Sequence, residues 1–121
     1  MAVGAAGGAT IITTVLGILV NRIDFDMTLP EAIAAPRASQ RNSATTQAEP
    51  AFLALPTTPG LEALGQKFAV TDTSPLDPTI KIPPTIGVAT GLELFGHGKV
   101  LAAGEPSRRG GSAAGVVSPA R

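Results

Sequence analysis

The stretch Val3-Gly4-Ala5-Ala6-Gly7-Gly8-Ala9-Thr10-Ile11-Ile12-Thr13-Thr14-Val15-Leu16 joins two patterns that predict different backbone conformations. Met1 to Ala6 has the pattern of a short buried strand with small side chains. From Thr10 to about Phe25, apolar residues recur at helical spacing. The pair Gly7-Gly8 stands between them and lets the backbone bend, because neither residue carries a Cβ atom. The stretch therefore predicts a strand, a tight turn and a helix buried on more than one side.

A helix that begins just after Gly7-Gly8 leaves backbone N–H groups without intrahelical partners, and its dipole favours negative charge at that end. Such N–H groups can hold a carboxylate, a phosphate or the oxyanion of an acyl-transfer intermediate. Taken alone, however, a glycine pair is more typical of a structural turn than of an active site.

The composition predicts marginal stability for this chain of 121 residues, which is long enough for one domain at most. Its hydrophobic fraction of 44% includes four Phe but no Trp or Tyr. Aromatic side chains bury the most area, so the chain has limited means to offset its ordering entropy. The 14 Gly and 11 Pro residues also favour irregular structure.

Charge and metal-ligating residues exclude several classes of function. Nine basic and nine acidic residues balance, so we expect no nucleic-acid partner. The chain has no Cys and a single His, His97, so we expect neither a metal nor a cofactor. The sequence Gly96-His97-Gly98 has the pattern of a hairpin turn, which makes His97 an exposed turn residue.

Residues Ala2 to Asn21 carry no charge and could suggest a membrane anchor. Glycines and threonines dilute the hydrophobicity of this segment, and no basic residue precedes it. We therefore favour a buried strand, turn and helix over a membrane segment.

Other patterns predict further elements along the chain. Thr28 and Glu31 have the spacing of a capping box, so a short helix should begin there and stop at Pro36. The remaining predictions are a polar stretch with an edge strand or a mobile segment (37–49), a short apolar segment (52–55), a helix (58–65), strands (67–71, 85–95 and 99–103), a proline-rich loop (74–84) and an extended basic tail (from 105).

Several motifs in this order resemble the C-terminal part of the small subunit of gamma-glutamyltransferase, also called gamma-glutamyltranspeptidase. The motifs are Val3-Gly4-Ala5-Ala6-Gly7-Gly8 with Ile11-Ile12-Thr13-Thr14-Val15-Leu16, Ile23-Asp24-Phe25, Leu29-Pro30-Glu31-Ala32-Ile33 with Ala35-Pro36-Arg37, Leu61-Glu62-Ala63-Leu64-Gly65, and Ala102-Ala103-Gly104-Glu105-Pro106-Ser107-Arg108-Arg109-Gly110-Gly111. The resemblance spans nearly the whole chain.

This resemblance implies an α+β fold, namely a partial N-terminal-nucleophile hydrolase (αββα) fold with incomplete sheets and about three helices. Enzymes of the family cleave their own precursor, and the threonine exposed by that cleavage attacks the gamma-glutamyl amide of glutathione-like substrates. Gly7 and Gly8 match the glycine pair of the family's oxyanion hole. In this context the catalytic interpretation of Gly7-Gly8 is preferred to the structural one.

The resemblance also implies that residues 1–121 are a C-terminal fragment. The nucleophilic threonine lies upstream of Met1 in the family, and none of Thr10, Thr13 and Thr14 can replace it. The expected partners are the missing N-terminal segment, the large subunit of the parent enzyme and a gamma-glutamyl substrate. Arg37 is expected to pair with a charge structurally. Family members are commonly periplasmic or extracellular.

The chain departs from the family's pattern at three places. Relatives often have Pro in place of Ala6 and Ser-Arg in place of Ala9-Thr10, so the support of the glycine pair should differ here. Glu105-Pro106-Ser107 stands where many relatives have Asp-Pro-Arg.

Two other functions stay open. The first alternative function is a non-catalytic assembly or binding module that pairs with a related subunit, and the second is a small membrane-associated protein.

Overall fold

The computed structural model describes residues 1–70, 72, 77, 79–108 and 114–118, and these form two compact units. The first unit contains residues 1–35 and 87–121, and the second contains residues 36–86. Helices and strands are mixed in an α+β arrangement, as predicted. The elements are β1 (Ala2–Ala6), α1 (Ile11–Ile23), α2 (Leu29–Ala34), β2 (Ala38–Ser39), β3 (Thr46–Ala48), α3 (Pro50–Leu53), α4 (Thr58–Ala63), β4 (Phe68–Ala69), β5 (Val88–Leu94), β6 (Val100–Gly104) and β7 (Ala114–Val117).

The first unit is built on a four-stranded antiparallel sheet in the order β1-β5-β6-β7. The 3₁₀ turn Gly96–Gly98 joins β5 to β6, and His97 lies exposed in it with a φ of 64°. This confirms the hairpin predicted from the sequence. Strand β7 was not predicted, because its small and β-branched residues follow a stretch that was assigned to the extended tail.

Helices α1 and α2 pack on one face of this sheet. Alternation places Ala89 of β5 and Ala103 of β6 on that face, where both are buried. The core comprises the residues Ile18, Leu29, Ala32, Ile33, Ala89 and Ala103. Small residues on the strands let the helices approach closely, so that large side chains from α1 and α2 fill most of the core.

The burial predicted for α1 and β1 is wrong. Only Thr14 and Ile18 of α1 are buried, whereas Ile12 and Leu16 are 79% and 58% exposed. Strand β1 is exposed or half-buried along its length. The opposite face of the sheet is also exposed at Leu92 and Leu94. Helix α1 carries enough apolar residues for two buried faces, but the other described residues cover only one of its faces.

Helix α2 begins with the predicted capping box. The Glu31 carboxylate accepts hydrogen bonds from the backbone N–H of Thr28, at 2.8 Å, and from its hydroxyl, at 2.6 Å. The helix ends at Ala34, and Ala35 is already extended with a ψ of 143°. This geometry is the one that a following proline imposes, as expected for Pro36.

The second unit contains a three-stranded sheet in the order β2-β3-β4, in which β3 pairs antiparallel with β2 and parallel with β4. The polar stretch after Pro36 thus supplies two strands. Helix α4 confirms the helix predicted at 58–65, and α3 is a single turn that the sequence did not predict. The strand predicted at 67–71 is limited to Phe68–Ala69, and Thr71 lies outside the described residues.

Candidate functional site

Gly7 and Gly8 lie in an exposed turn between β1 and α1. Strand β1 ends at Ala6, Gly8 has a φ of 58°, and the 3₁₀ turn Gly8–Thr10 leads directly into the 13 residues of α1. Within the part of the chain that the structure describes, neither the Gly7 nor the Gly8 amide donates a hydrogen bond to a protein acceptor. The predicted strand, turn and helix are therefore present, and both glycines are exposed.

The carbonyl of Gly7 is held by Thr10. It accepts a hydrogen bond from the Thr10 backbone N–H, at 3.2 Å, and another from the Thr10 hydroxyl, at 3.0 Å. Because a trans peptide is planar, the N–H of Gly8 points opposite to the C=O of Gly7. The Gly8 N–H is thus directed away from the first turn of the helix.

Gly87, just before β5, packs against the glycine turn. A Cβ atom on Gly7 would lie 2.6 Å from Thr10 Oγ1 and 3.0 Å from the Gly87 Cα atom. A Cβ atom on Gly87, whose φ is 64°, would lie 2.6 Å from Thr14 Oγ1 and 3.4 Å from the Ala6 carbonyl oxygen. This role of Gly87 was not predicted from the sequence. An isolated glycine inside the predicted strand at 85–95 is the signal that indicates a close backbone approach.

The threonines after the turn are placed as the resemblance implied. Thr10 lies in the 3₁₀ turn, and Thr13 and Thr14 lie inside α1. Thr14 is 2% exposed, and in the described part of the chain its hydroxyl has no hydrogen-bond partner. Each is fixed by local structure, and none stands at a chain terminus where a free amine could serve as its base.

Glu105 and Arg108 form a buried ion pair, although the sequence predicted an extended tail here. Arg108 Nη1 lies 2.8 Å from Glu105 Oε1, and the two side chains are 4% and 2% exposed. The same guanidinium donates to the carbonyls of Ile33, at 3.1 Å, and Ala35, at 2.9 Å, at the C-terminal end of α2. The extended-tail prediction is wrong at Arg108, because helix-end carbonyls and a carboxylate attract its charge. Residues 109–113 lie outside the described residues.

Arg37 occupies a structural position in the second unit. It is 7% exposed, its guanidinium donates to the Ile86 carbonyl at 2.8 Å, and its backbone N–H donates to the Glu49 carboxylate at 2.9 Å. Glu49 also accepts a hydrogen bond from the Ile86 backbone N–H, at 2.8 Å. The role of Glu49 was not predicted from the sequence, since one carboxylate in a polar stretch gives no signal of burial.

The described residues contain no group of three or more His, Cys, Asp or Glu side chains that could hold a metal ion. Nor is any helix among the residues whose placement is described long and apolar enough to cross a membrane.

Comparisons with known proteins match the glycine turn and its surroundings to one family. The sequence profile described as Gamma-glutamyltranspeptidase matches residues 1–116. A glutathione hydrolase proenzyme from Pseudomonas sp. (strain A14) is 44% identical over 70 residues, which cover 57% of this chain and 12% of that protein.

Solved structures of gamma-glutamyltranspeptidases share the fold. The enzyme from Pseudomonas nitroreducens, solved in complex with L-DON, superposes with a TM-score of 0.70 at 22% identity and covers 91% of this chain. The T380A mutant of the Helicobacter pylori enzyme superposes with a TM-score of 0.64 at 25% identity and covers 86% of it. In each case the match covers 52% of the solved chain, so this chain spans about half the length of those structures.

The arrangement of helices and sheets is thus that of the N-terminal-nucleophile hydrolase fold, as the resemblance implied. The sequence match extends over nearly the whole chain, from the glycine turn to β7. On this evidence, the chain belongs to the gamma-glutamyltranspeptidase family.

Proposed function

We propose that this chain is the C-terminal fragment of a gamma-glutamyltransferase that transfers or hydrolyses gamma-glutamyl groups of glutathione-like substrates. Its part in the reaction is to supply the oxyanion hole through the backbone N–H groups of Gly7 and Gly8. The observation that carries the proposal is the exposed turn itself, whose two amides lack protein acceptors among the described residues. Helix α1 begins directly behind that turn.

The proposed chemistry divides between this chain and the rest of the enzyme. A threonine hydroxyl from the missing segment gives its proton to the threonine's own amine as its oxygen attacks the gamma-glutamyl carbonyl carbon, and the carbonyl oxygen becomes an oxyanion. The Gly7 and Gly8 N–H groups donate to that oxygen. Collapse of the intermediate breaks the C–N bond, and the threonine's ammonium group returns the proton to the departing amine. An acceptor amine or water then attacks the acyl-enzyme, which breaks the ester bond and restores the threonine hydroxyl. Loss of one such donor typically lowers kcat by about 10²- to 10³-fold.

Complementation tests this proposal. The chain is co-expressed with the Pseudomonas sp. (strain A14) proenzyme from which the segment matching this chain has been deleted, and hydrolysis of gamma-glutamyl-p-nitroanilide is measured. We expect no turnover by either part alone and turnover by the purified complex. A stable complex in which cleavage has exposed the N-terminal threonine, but which shows no turnover, would contradict the proposal.

A matched pair of variants tests the glycine turn in that complex. Gly8→Ala strains a residue with a φ of 58° inside the turn, whereas Gly65→Ala strains a residue with a φ of 93° at the end of α4. An added Cβ meets no atom within 4 Å at either position. We expect kcat to fall only for Gly8→Ala. Equal effects of the two substitutions would assign the loss to general destabilisation.

The exposed apolar residues favour a second candidate, a non-catalytic module that assembles with a related subunit. Ile12 and Leu16 on α1, together with Leu94 on β5, are 58–79% exposed, and exposed apolar patches mark interaction surfaces. This candidate predicts that the chain co-purifies with the homologous enzyme and leaves the deleted variant inactive.

A further inference from the structure

We infer that Thr10 is a positioning residue that orients the peptide group between Gly7 and Gly8. Gly87 packs against this part of the turn and fixes its position. The inference rests on the proposed oxyanion role of Gly7 and Gly8 for its catalytic consequence, but its structural part stands on the contacts of these residues alone. Relatives often have Ser-Arg where this chain has Ala9-Thr10, so the support that Thr10 gives the turn belongs to this chain.

The orientation comes from two hydrogen bonds on one carbonyl. The Thr10 N–H and hydroxyl both donate to the Gly7 oxygen, at 3.2 and 3.0 Å, and Thr10 is 9% exposed. A donor pair on one oxygen limits rotation of the peptide plane. Since the plane also contains the Gly8 N–H, the Thr10 hydroxyl fixes the direction of a donor that it does not touch.

The placement comes from contacts with Gly87. The Gly87 Cα atom lies 3.0 Å from where a Cβ on Gly7 would stand, and the Ala6 carbonyl oxygen lies 3.4 Å from where a Cβ on Gly87 would stand. The Gly7 N–H points opposite to that carbonyl, and hence away from Gly87. The Thr14 side chain lies even closer to that Cβ position, with Oγ1 at 2.6 Å, so a larger residue at Gly87 could not fit without displacement.

Substitutions at Thr10 test the orientation. Thr10→Val keeps the shape of the side chain and removes the hydroxyl, whereas Thr10→Ser keeps the hydroxyl. Thr13→Val is the matched control, because the Thr13 hydroxyl donates to the Thr10 carbonyl at the same distance of 3.0 Å. The first readout is the ¹H–¹⁵N spectrum of the full chain, and the second is kcat and KM of the complemented enzyme.

We expect Thr10→Val to shift the Gly7 and Gly8 amide resonances and to lower kcat by about 10-fold with KM changed less than about twofold, since small misplacements of catalytic groups are costly. Thr10→Ser should restore both readouts. Unchanged amide resonances in Thr10→Val, or shifts as large in Thr13→Val, would overturn the positioning role. Shifted resonances with unchanged kcat would support positioning and contradict the oxyanion role, so the two failures are distinguishable.

Gly87→Ala provides an independent test of the packing of Gly87 against the turn. We expect it to shift the Gly7 and Gly8 resonances, and we expect Thr14→Ala to relieve this effect in the double variant, because Thr14 supplies the two atoms nearest to the added Cβ. If Gly87→Ala prevents folding, recovery of the folded spectrum in the Thr14→Ala background supports the inference. If neither Gly87→Ala nor the double variant folds, the inference about Gly87 is overturned, and backbone strain is the cause of the loss of folding.

Discussion

Arg108 and Glu105 lie three residues apart and form an ion pair, with 2.8 Å between Nη1 and Oε1, that is almost completely buried. The Glu105 carboxylate also lies 3.4 Å from the backbone N–H of Ala89 in the central strand β5. Through Arg108, the same pair reaches the end of α2. It therefore joins the segment after β6 to both the sheet and a helix of the core.

Arg108→Ala should destabilise the first unit by about 3–5 kcal/mol, because it removes the positive charge that lies 2.8 Å from the buried Glu105 carboxylate. The carbonyls of Ile33 and Ala35 lose a donor at the same time. Urea denaturation followed by circular dichroism measures the change in the free energy of unfolding.

The control for this substitution is Lys81→Ala, which breaks the exposed ion pair between Lys81 and Asp72. That pair has a similar N–O distance of 2.7 Å, but its side chains are 72% and 49% exposed. Exposed pairs contribute about 0–1 kcal/mol. If Arg108→Ala cost no more than Lys81→Ala, burial would not be what makes the Arg108 pair important.

The capping box of α2 should make stability depend on pH. Hydrogen bonds from the Thr28 hydroxyl and backbone N–H hold the pKa of Glu31 below its ordinary value of 4.5. A carboxyl whose pKa is lower in the folded state stabilises the fold above the unfolded pKa and loses that contribution as pH falls through the folded pKa. We expect the difference in Tm between the wild type and Glu31→Gln to shrink as pH falls below about 4.5. A difference that stays constant between pH 6 and 3 would contradict this prediction.

Local signals in the sequence predicted the elements of the first unit well. The glycine pair before a periodic apolar run, the capping box at Thr28 and the Gly96-His97-Gly98 turn each depend on residues close together in the chain. Such short-range rules determine where a helix begins or a hairpin turns. The glycine pair also led directly to the exposed turn of the candidate site.

Long-range contacts could not be predicted in the same way. The burial of Arg108 depends on the end of α2, and the importance of Gly87 depends on Thr14 and Gly7; in both cases the partners lie more than 70 residues earlier in the chain. The apolar count of α1 likewise predicted burial on more than one side. Periodicity shows which residues share a face, but it does not show how many faces the available chain covers.

Gly7→Ala should destabilise the chain by about 1–3 kcal/mol, the usual cost of overpacking. The added Cβ would lie 2.6 Å from Thr10 Oγ1, and backbone at Gly87 blocks relief on the other side. Gly4→Ala is the control, because a Cβ there meets no atom within 4 Å. Thermal denaturation of both variants measures the difference. Equal Tm values would show that the turn is loosely packed, which would also weaken the role inferred for Gly87.

The exposed apolar side chains on α1 should limit the solubility of the isolated chain. Ile12 and Leu16 lie one helical turn apart and are 79% and 58% exposed, so they form a continuous apolar surface. The double variant Ile12→Lys, Leu16→Lys should keep its helix content, since lysine favours helix, and should remain monomeric at higher concentration in light scattering. Leu64→Lys, which removes a single side chain that is 84% exposed, serves as the control and should change little. In the complemented enzyme we expect the double variant to assemble poorly, because an exposed apolar surface of this kind is one that a partner segment would cover. Equal assembly of the double variant and the wild type would assign that contact to another face, such as the open side of the sheet at Leu92 and Leu94.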